Sequence, residues 1–166
     1  MGLDNGSRYL VASHLTRGRT HKDAKAFFEV AKKQAKRDPR LIFSDGLDSY
    51  RGKYKPTGKE HVFHIANVGI RSHVGNHRVG RLHNTMRERE KVMHHLKKVN
   101  SADKVFKDFR AYYDYVGPHM AVDGHTPAEM GAVPIQLGTN RWLDLIRQVA
   151  RRRSEMSNHG RKISSD

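Results

Sequence analysis

The strongest constraint on the fold is one helix with readable ends, set between two strand-like runs. Thr20 followed three residues later by Asp23 has the form of a capping box, and Ala24, Phe27, Phe28, Ala31 and Ala35 then recur at helical spacing until Pro39 stops the run. The other face is rich in lysine. Ahead of it, residues 8–14 (RYLVASH) are strand formers, with so little chain before them that no earlier element is expected. Behind it, Leu41, Ile42 and Phe43 form an unbroken apolar run that predicts a buried strand ending at Ser44, Asp45 and Gly46. Strand, helix, strand in this order predicts a right-handed crossover, and hence an α/β chain with a mixed sheet and flanking helices.

Further along, residues 61–65 read as another short strand after a loop of Gly, Lys, Pro and His. A long helix is expected from about His77, because Val79, Leu82, Met86, Met93 and Leu96 recur at helical intervals with no Gly or Pro after Gly80. Ser101 is expected to cap the next helix, which carries Val105, Phe106, Phe109, Tyr112, Tyr113 and Val116 and ends at Gly117 and Pro118. Thr126 and Pro127 predict a short helical turn, and Trp142, Leu145, Ile146, Val149 and Ala150 a last amphipathic helix. Residues 154–166 are polar, basic and aperiodic, which predicts a disordered tail.

Charge narrows the function. Lys and Arg number 32 against 17 Asp and Glu, a formal net charge of +15 with the twelve histidines neutral, so a polyanionic partner is the first inference. The absence of cysteine excludes a disulfide scaffold, a Cys-ligated metal and a thiol nucleophile together. No stretch approaches the roughly 20 apolar residues that span a bilayer, so a soluble, cytoplasmic protein without a membrane partner is expected. The positive charge falls in four clusters: Lys32, Lys33, Lys36 and Arg37; Arg51, Lys53, Lys55 and Lys59; Arg78, Arg81, Arg87, Arg89 and Lys91; and Arg151, Arg152 and Arg153. Spread in this way they could neutralise several phosphates of a nucleic acid, and the other reading is a solvated surface.

The pairs His61 and His64, His73 and His77, and His94 and His95 have spacings that could bring two imidazoles to one metal, but none has a third ligand nearby in sequence, and they are read as structural or surface groups. Asp45 is the most informative carboxylate. An acid at the end of a buried strand is where α/β sheets place metal-binding and catalytic groups, while an aspartate before glycine is also a common turn.

Four segments carry a resemblance: residues 19–31 (RTHKDAKAFFEVA), 41–50 (LIFSDGLDSY), 76–93 (NHRVGRLHNTMREREKVM) and 112–130 (YYDYVGPHMAVDGHTPAEM). Together they resemble the catalytic core of the DDE transposases of prokaryotic insertion sequences, in the retroviral-integrase superfamily. The resemblance implies a ribonuclease H-like fold over residues 1–131, followed by a helix in 132–153 and the tail in 154–166. It also implies DNA transposition chemistry, in which three carboxylates hold two Mg2+ or Mn2+ ions that activate water, and then a DNA 3′-hydroxyl, for attack on phosphodiesters.

Asp45 matches the second of those carboxylates. The third belongs on the long helix about 35 residues further on, and that position is Gly80. The helix resembles the family pattern N-x-x-x-E-R-x-N-x-x-x-R-x-R. It keeps Asn76, Arg81, Arg87 and Arg89, but has Gly80 in place of the glutamate and His83 in place of the asparagine. Glu88 is a poor substitute, since eight residues along a helix amount to roughly 12 Å. Asn76, His77, His83 and Asn84 lie on the face of Gly80 and could form at most a weak altered site. The first carboxylate belongs to a strand ahead of residues 3–14, which resemble a later turn and strand, with Asp4 at a turn position.

The expectation is therefore an N-terminally truncated, catalytically inactive copy. Asp45 would be its one surviving metal ligand, and Arg78, Arg81, Arg87, Arg89, Lys91, Arg51 and Lys53 its DNA-binding residues. Nucleoid association, and pairing with itself or with intact transposase, are expected. Two other readings are an active transposase with a carboxylate elsewhere, and an unrelated basic non-catalytic nucleic-acid-binding protein.

Overall fold

The structure, a computed structural model, describes residues 1–16, 18–58, 61–66, 77–92 and 99–163. The chain is α/β. Strand β1 (Gly2–Leu3) pairs antiparallel with β2 (Leu10–Ala12), in the register Gly2 to Ala12 and Leu3 to Leu10 with an irregularity between them. An element thus precedes the strand expected at residues 8–14, where none was foreseen. The turn explains how so short a hairpin closes: Asp4 accepts both the backbone N–H and the hydroxyl of Ser7 at 2.8 Å, and the Asp4 N–H reaches the Tyr9 carbonyl at 2.8 Å.

Helix α1 (His21–Ala35) begins as its sequence dictates, with both halves of the Thr20–Asp23 capping box formed. Lys36, left-handed at φ 55°, ends it by bonding back to the Lys32 carbonyl. Its buried Ala24 and Phe28 face inward. Phe28 meets Tyr50 and Tyr54 edge-on at 6.1 and 5.5 Å, and the neighbouring Phe27 closes over Gly2, where a Cβ would lie 2.9 Å from the ring.

Strand β3 (Leu41–Phe43) runs parallel to β4 (Phe63–Ile65), with a 3-10 turn (Asp48–Tyr50) in the connection. Two expectations need correction here. The strands on either side of α1 do not share a sheet, because β2 bonds to β1 and β3 to β4 in two separate pairs. Nor is β3 a buried strand: Leu41, Phe63 and Ile65 are exposed. With one neighbour each among the described residues, these strands leave a face and an edge uncovered, a surface that invites pairing with another chain.

The core lies between the first hairpin and two helices, α2 (His77–Val92) and α3 (Val99–Ala111), where Leu10, Leu82, Met86 and Phe109 are buried together against Leu3, Phe106 and Tyr113. Each such side chain contributes about 1.5–3 kcal/mol, an upper bound because unfolded chains already hide some surface. Helix α3 is already formed at Val99, so Ser101 stands inside its first turn and not ahead of it as a cap. Met93 and Leu96 of the expected long helix lie outside the described residues. Residues 112–116 continue α3 as one wider, π-helical turn closed by the Gly117 N–H on the Tyr112 carbonyl at 2.8 Å. This turn holds Asp114 fully buried, accepting the Leu10 N–H at 2.8 Å and facing Arg110 at 3.3 Å, which ties β2 to the end of α3.

Helix α4 (Pro127–Met130) has a complete capping box between Thr126 and Glu129 with Pro127 in its first turn. Thr126 is itself buried. Thr126→Ala should cost about 1 kcal/mol, seen as a fall of roughly 2–4 °C in thermal unfolding. Helix α5 (Arg141–Ile163) runs ten residues past the end expected at 153, through what was read as tail. Glu155, Met156, Arg161 and Lys162 are good helix formers while Gly160 is a poor one, and adding residues to a helix already nucleated costs less than starting one. No helix is long and apolar enough to cross a membrane among the described residues.

Candidate functional site

Asp45 lies two residues past the end of β3 and is exposed. Its Oδ1 accepts the Leu47 N–H at 3.3 Å, and Gly46 beside it takes φ 85°, so the carboxylate shapes a turn. The buried Ser44 anchors that turn to β4 through its N–H on the Ile65 carbonyl at 3.1 Å and its hydroxyl on His64 Nε2 at 2.9 Å. His64 is thereby a structural partner, while His73, His94 and His95 lie outside the described residues.

Burial lowers the pKa of His83, the charges of the Met1 amine and Arg87 lower it further, and the Asp45 carboxylate opposes them. The Tyr50 pKa is raised by burial and then by Asp45. Gly80 sits one turn before His83 on the same helical face. A Cβ there would meet nothing within 4 Å. The position is open, and no packing demands glycine. Gly80→Ala should therefore stabilise the chain by about 1 kcal/mol, measurable as a rise in the midpoint of thermal unfolding.

No group of three or more His, Asp or Glu able to hold a metal ion occurs among the described residues. At the family positions among the described residues Asp45 is a carboxylate, while Gly80 has no side chain to add to it. Magnesium requires hard oxygen ligands, so this donor set does not fit a pair of such cations. Glu88 is engaged with Lys91 at 2.7 Å on the exposed face of α2.

The basic residues divide among three places. Arg78 binds the first hairpin through the Asn5 carbonyl at 2.5 Å and the Asn5 side chain, with Arg81 exposed one turn on. Arg89 lies over the rings of Phe109 and Tyr112 at 5.2 and 4.7 Å, and with Arg87 it rims a groove of about 540 Å³ walled by Phe106, Tyr112 and Trp142. Arg51, paired loosely with Asp48 at 3.8 Å, and Lys53 stand apart on the loop after β3. Lys59 is outside the described residues.

A family model of the IS240 transposase type, described as a DDE domain, matches residues 3–115. The chain belongs to the DDE-type insertion-sequence transposase family. Neither a curated protein nor a solved structure matches it. In this transposase-family chain the matched span takes in Asp45, Gly80 and all the arginines of α2, and it ends at Tyr115, ahead of α4 and α5.

Two residues of the same region escaped the sequence reading. Asp114 gave a signal, an acid beside the apolar stripe of Phe106, Phe109 and Tyr113. Arg8 gave none, since nothing in its neighbours foretells the left-handed φ of 65° that the hairpin imposes on it.

Proposed function

We propose that this chain is a DNA-binding, non-catalytic member of its family with a partial ribonuclease H-like sheet. The observation that carries the reading is the open glycine at position 80: where the resemblance expects a glutamate on α2 facing Asp45, the helix offers no side chain. Family chemistry clamps the entering and leaving oxygens between two cations, and Asp45 alone cannot hold both. The basic clusters are independent of that loss. Phosphate contacts give affinity without sequence information, so binding to duplex DNA is expected to be sequence-tolerant, and the protein to sit on the nucleoid. The uncovered edges of the β3–β4 pair favour association with another copy or with an intact transposase.

Fluorescence anisotropy with two labelled duplexes of unrelated sequence tests this. Similar affinities for both, reduced severalfold in the double variant Arg81→Gln with Arg87→Gln, support it, and absence of binding to either rejects it. Gly80→Glu is expected to leave DNA uncut in magnesium, because two carboxylates still fall one short of the family set. Strand cleavage gained by that single substitution would mean that a third ligand is already present.

A further inference from the structure

We infer that Arg8, Arg78 and Arg81 form a preorganised subsite for one tetrahedral phosphate, where the β1–β2 turn meets the start of α2. This inference deepens the DNA-binding reading and rests on it for the source of the phosphate. The hairpin turn holds Arg8 by its N–H on the Asp4 carbonyl at 3.1 Å and in a left-handed conformation that a non-glycine residue adopts at a cost. Arg78 reaches the same turn through Asn5. Nε and Nη1 of Arg8 and Nε of Arg78 are buried without a hydrogen-bond partner among the described residues.

A buried donor left unpaired is costly, and more so when charged. Burial depresses the Arg8 pKa, and the charges of Arg78 and Arg81 add to the effect, while Tyr113 and Asp4 act against it. Asp4 is the carboxylate that acts on Arg8 among the described residues, and its Oδ2 is already taken up by Ser7. Three guanidinium groups that repel one another, with donors unfilled, form an arrangement that an oxyanion completes. Arginine forks match phosphate oxygens in geometry as well as charge. Arg81 is exposed, so a backbone phosphodiester or a free phosphate would meet the cluster from that side and draw the buried donors outward.

The test compares the full chain with Arg8→Met, Arg81→Gln and, as a control for net charge, Arg152→Gln on α5. In the first arm, thermal unfolding is followed in inorganic phosphate and in chloride at equal ionic strength. Phosphate should raise the midpoint of the parent and of Arg152→Gln by several degrees, and of Arg8→Met and Arg81→Gln by much less. In chloride Arg8→Met should melt no lower than the parent, since it removes an unpaired charge. A purely structural Arg8 would make it melt lower. In the second arm, Arg8→Met and Arg81→Gln should each reduce the slope of log affinity for duplex DNA against log salt by up to about 0.9, the share of one phosphate.

A phosphate effect equal in all four proteins, or absent from the parent, overturns the site. DNA binding that persists with an unchanged slope in both variants overturns the site as a DNA contact and leaves the DNA-binding reading standing. A phosphate effect confined to the intact site, in a chain that binds no DNA, keeps the site for free phosphate and removes that reading.

Discussion

Raising salt from roughly 50 to 200 mM should weaken the binding of this chain to duplex DNA by about a thousandfold. The figure follows from counterion release. If some six phosphates are neutralised, the slope of log affinity against log salt is near −5 for B-form DNA, which over this range gives about three decades. The charge for it is available, with +15 on 166 residues, and part of it is already held in place. Arg89 is fixed over two aromatic rings, and Arg78 is fixed on the hairpin. Fixed cations lose less freedom on binding than the flexible surface lysines do. A titration by anisotropy at five or six salt concentrations measures the slope directly. An affinity that does not change with salt would mean that the excess charge serves solubility alone.

Asp114→Asn should make the chain more stable at pH 8 by a few kcal/mol, and should flatten its stability between about pH 4 and 7. Burial pushes the Asp114 pKa up to about 7 from an ordinary 3.8, against the Leu10 N–H and Arg110, which both pull it down. Below the lower value both folded and unfolded chains carry the proton, and Asp114 contributes no pH dependence. Between the two values the unfolded chain has lost the proton and the folded chain keeps it, so stability falls steadily as pH rises. Above about 7 both are ionised and the full cost is present, on the order of 4 kcal/mol for a shift of this size. Asparagine keeps the acceptor for Leu10 and has no charge to bury. Urea unfolding of both proteins at pH 5, 6, 7 and 8 gives the two curves. If the asparagine variant is the less stable at pH 8, the ionised pair with Arg110 outweighs the burial of its charge.

How far the sequence could be read depended on whether an element was specified locally. Helix α1 was legible to its first residue because Thr20 and Asp23 cap each other without outside help, and α4 was legible from Thr126 followed by Pro127 at the first helical position. Sheet partnership was not. Leu41, Ile42 and Phe43 look alike whether the strand is central or at an edge, and only the pairing with Phe63 to Ile65 decides it. The hairpin of Gly2 and Leu3 is too short to leave a periodic signal. It is held by a turn whose closing bonds come from one aspartate. The tail beyond 153 lacked an apolar stripe, so the continuation of α5 to Ile163 left no periodic signal to read. At the candidate site, Asp45 and Gly80 were singled out by the family resemblance, and Gly80 by no local signal of its own. The convergence of Arg8 on Arg78 and Arg81 depends on a backbone conformation that no residue pattern encodes.

The most direct test of the central claim is nicking of supercoiled plasmid by the purified chain in magnesium and in manganese, at low salt where DNA is bound. If Asp45 is the one carboxylate at the family positions, as proposed, the chain should leave the plasmid supercoiled in both metals while shifting its mobility. Metal-dependent nicking that Asp45→Ala abolishes would contradict the account. It would show that another acid, with Glu88 and Glu90 the first to be substituted, completes a working site around Gly80.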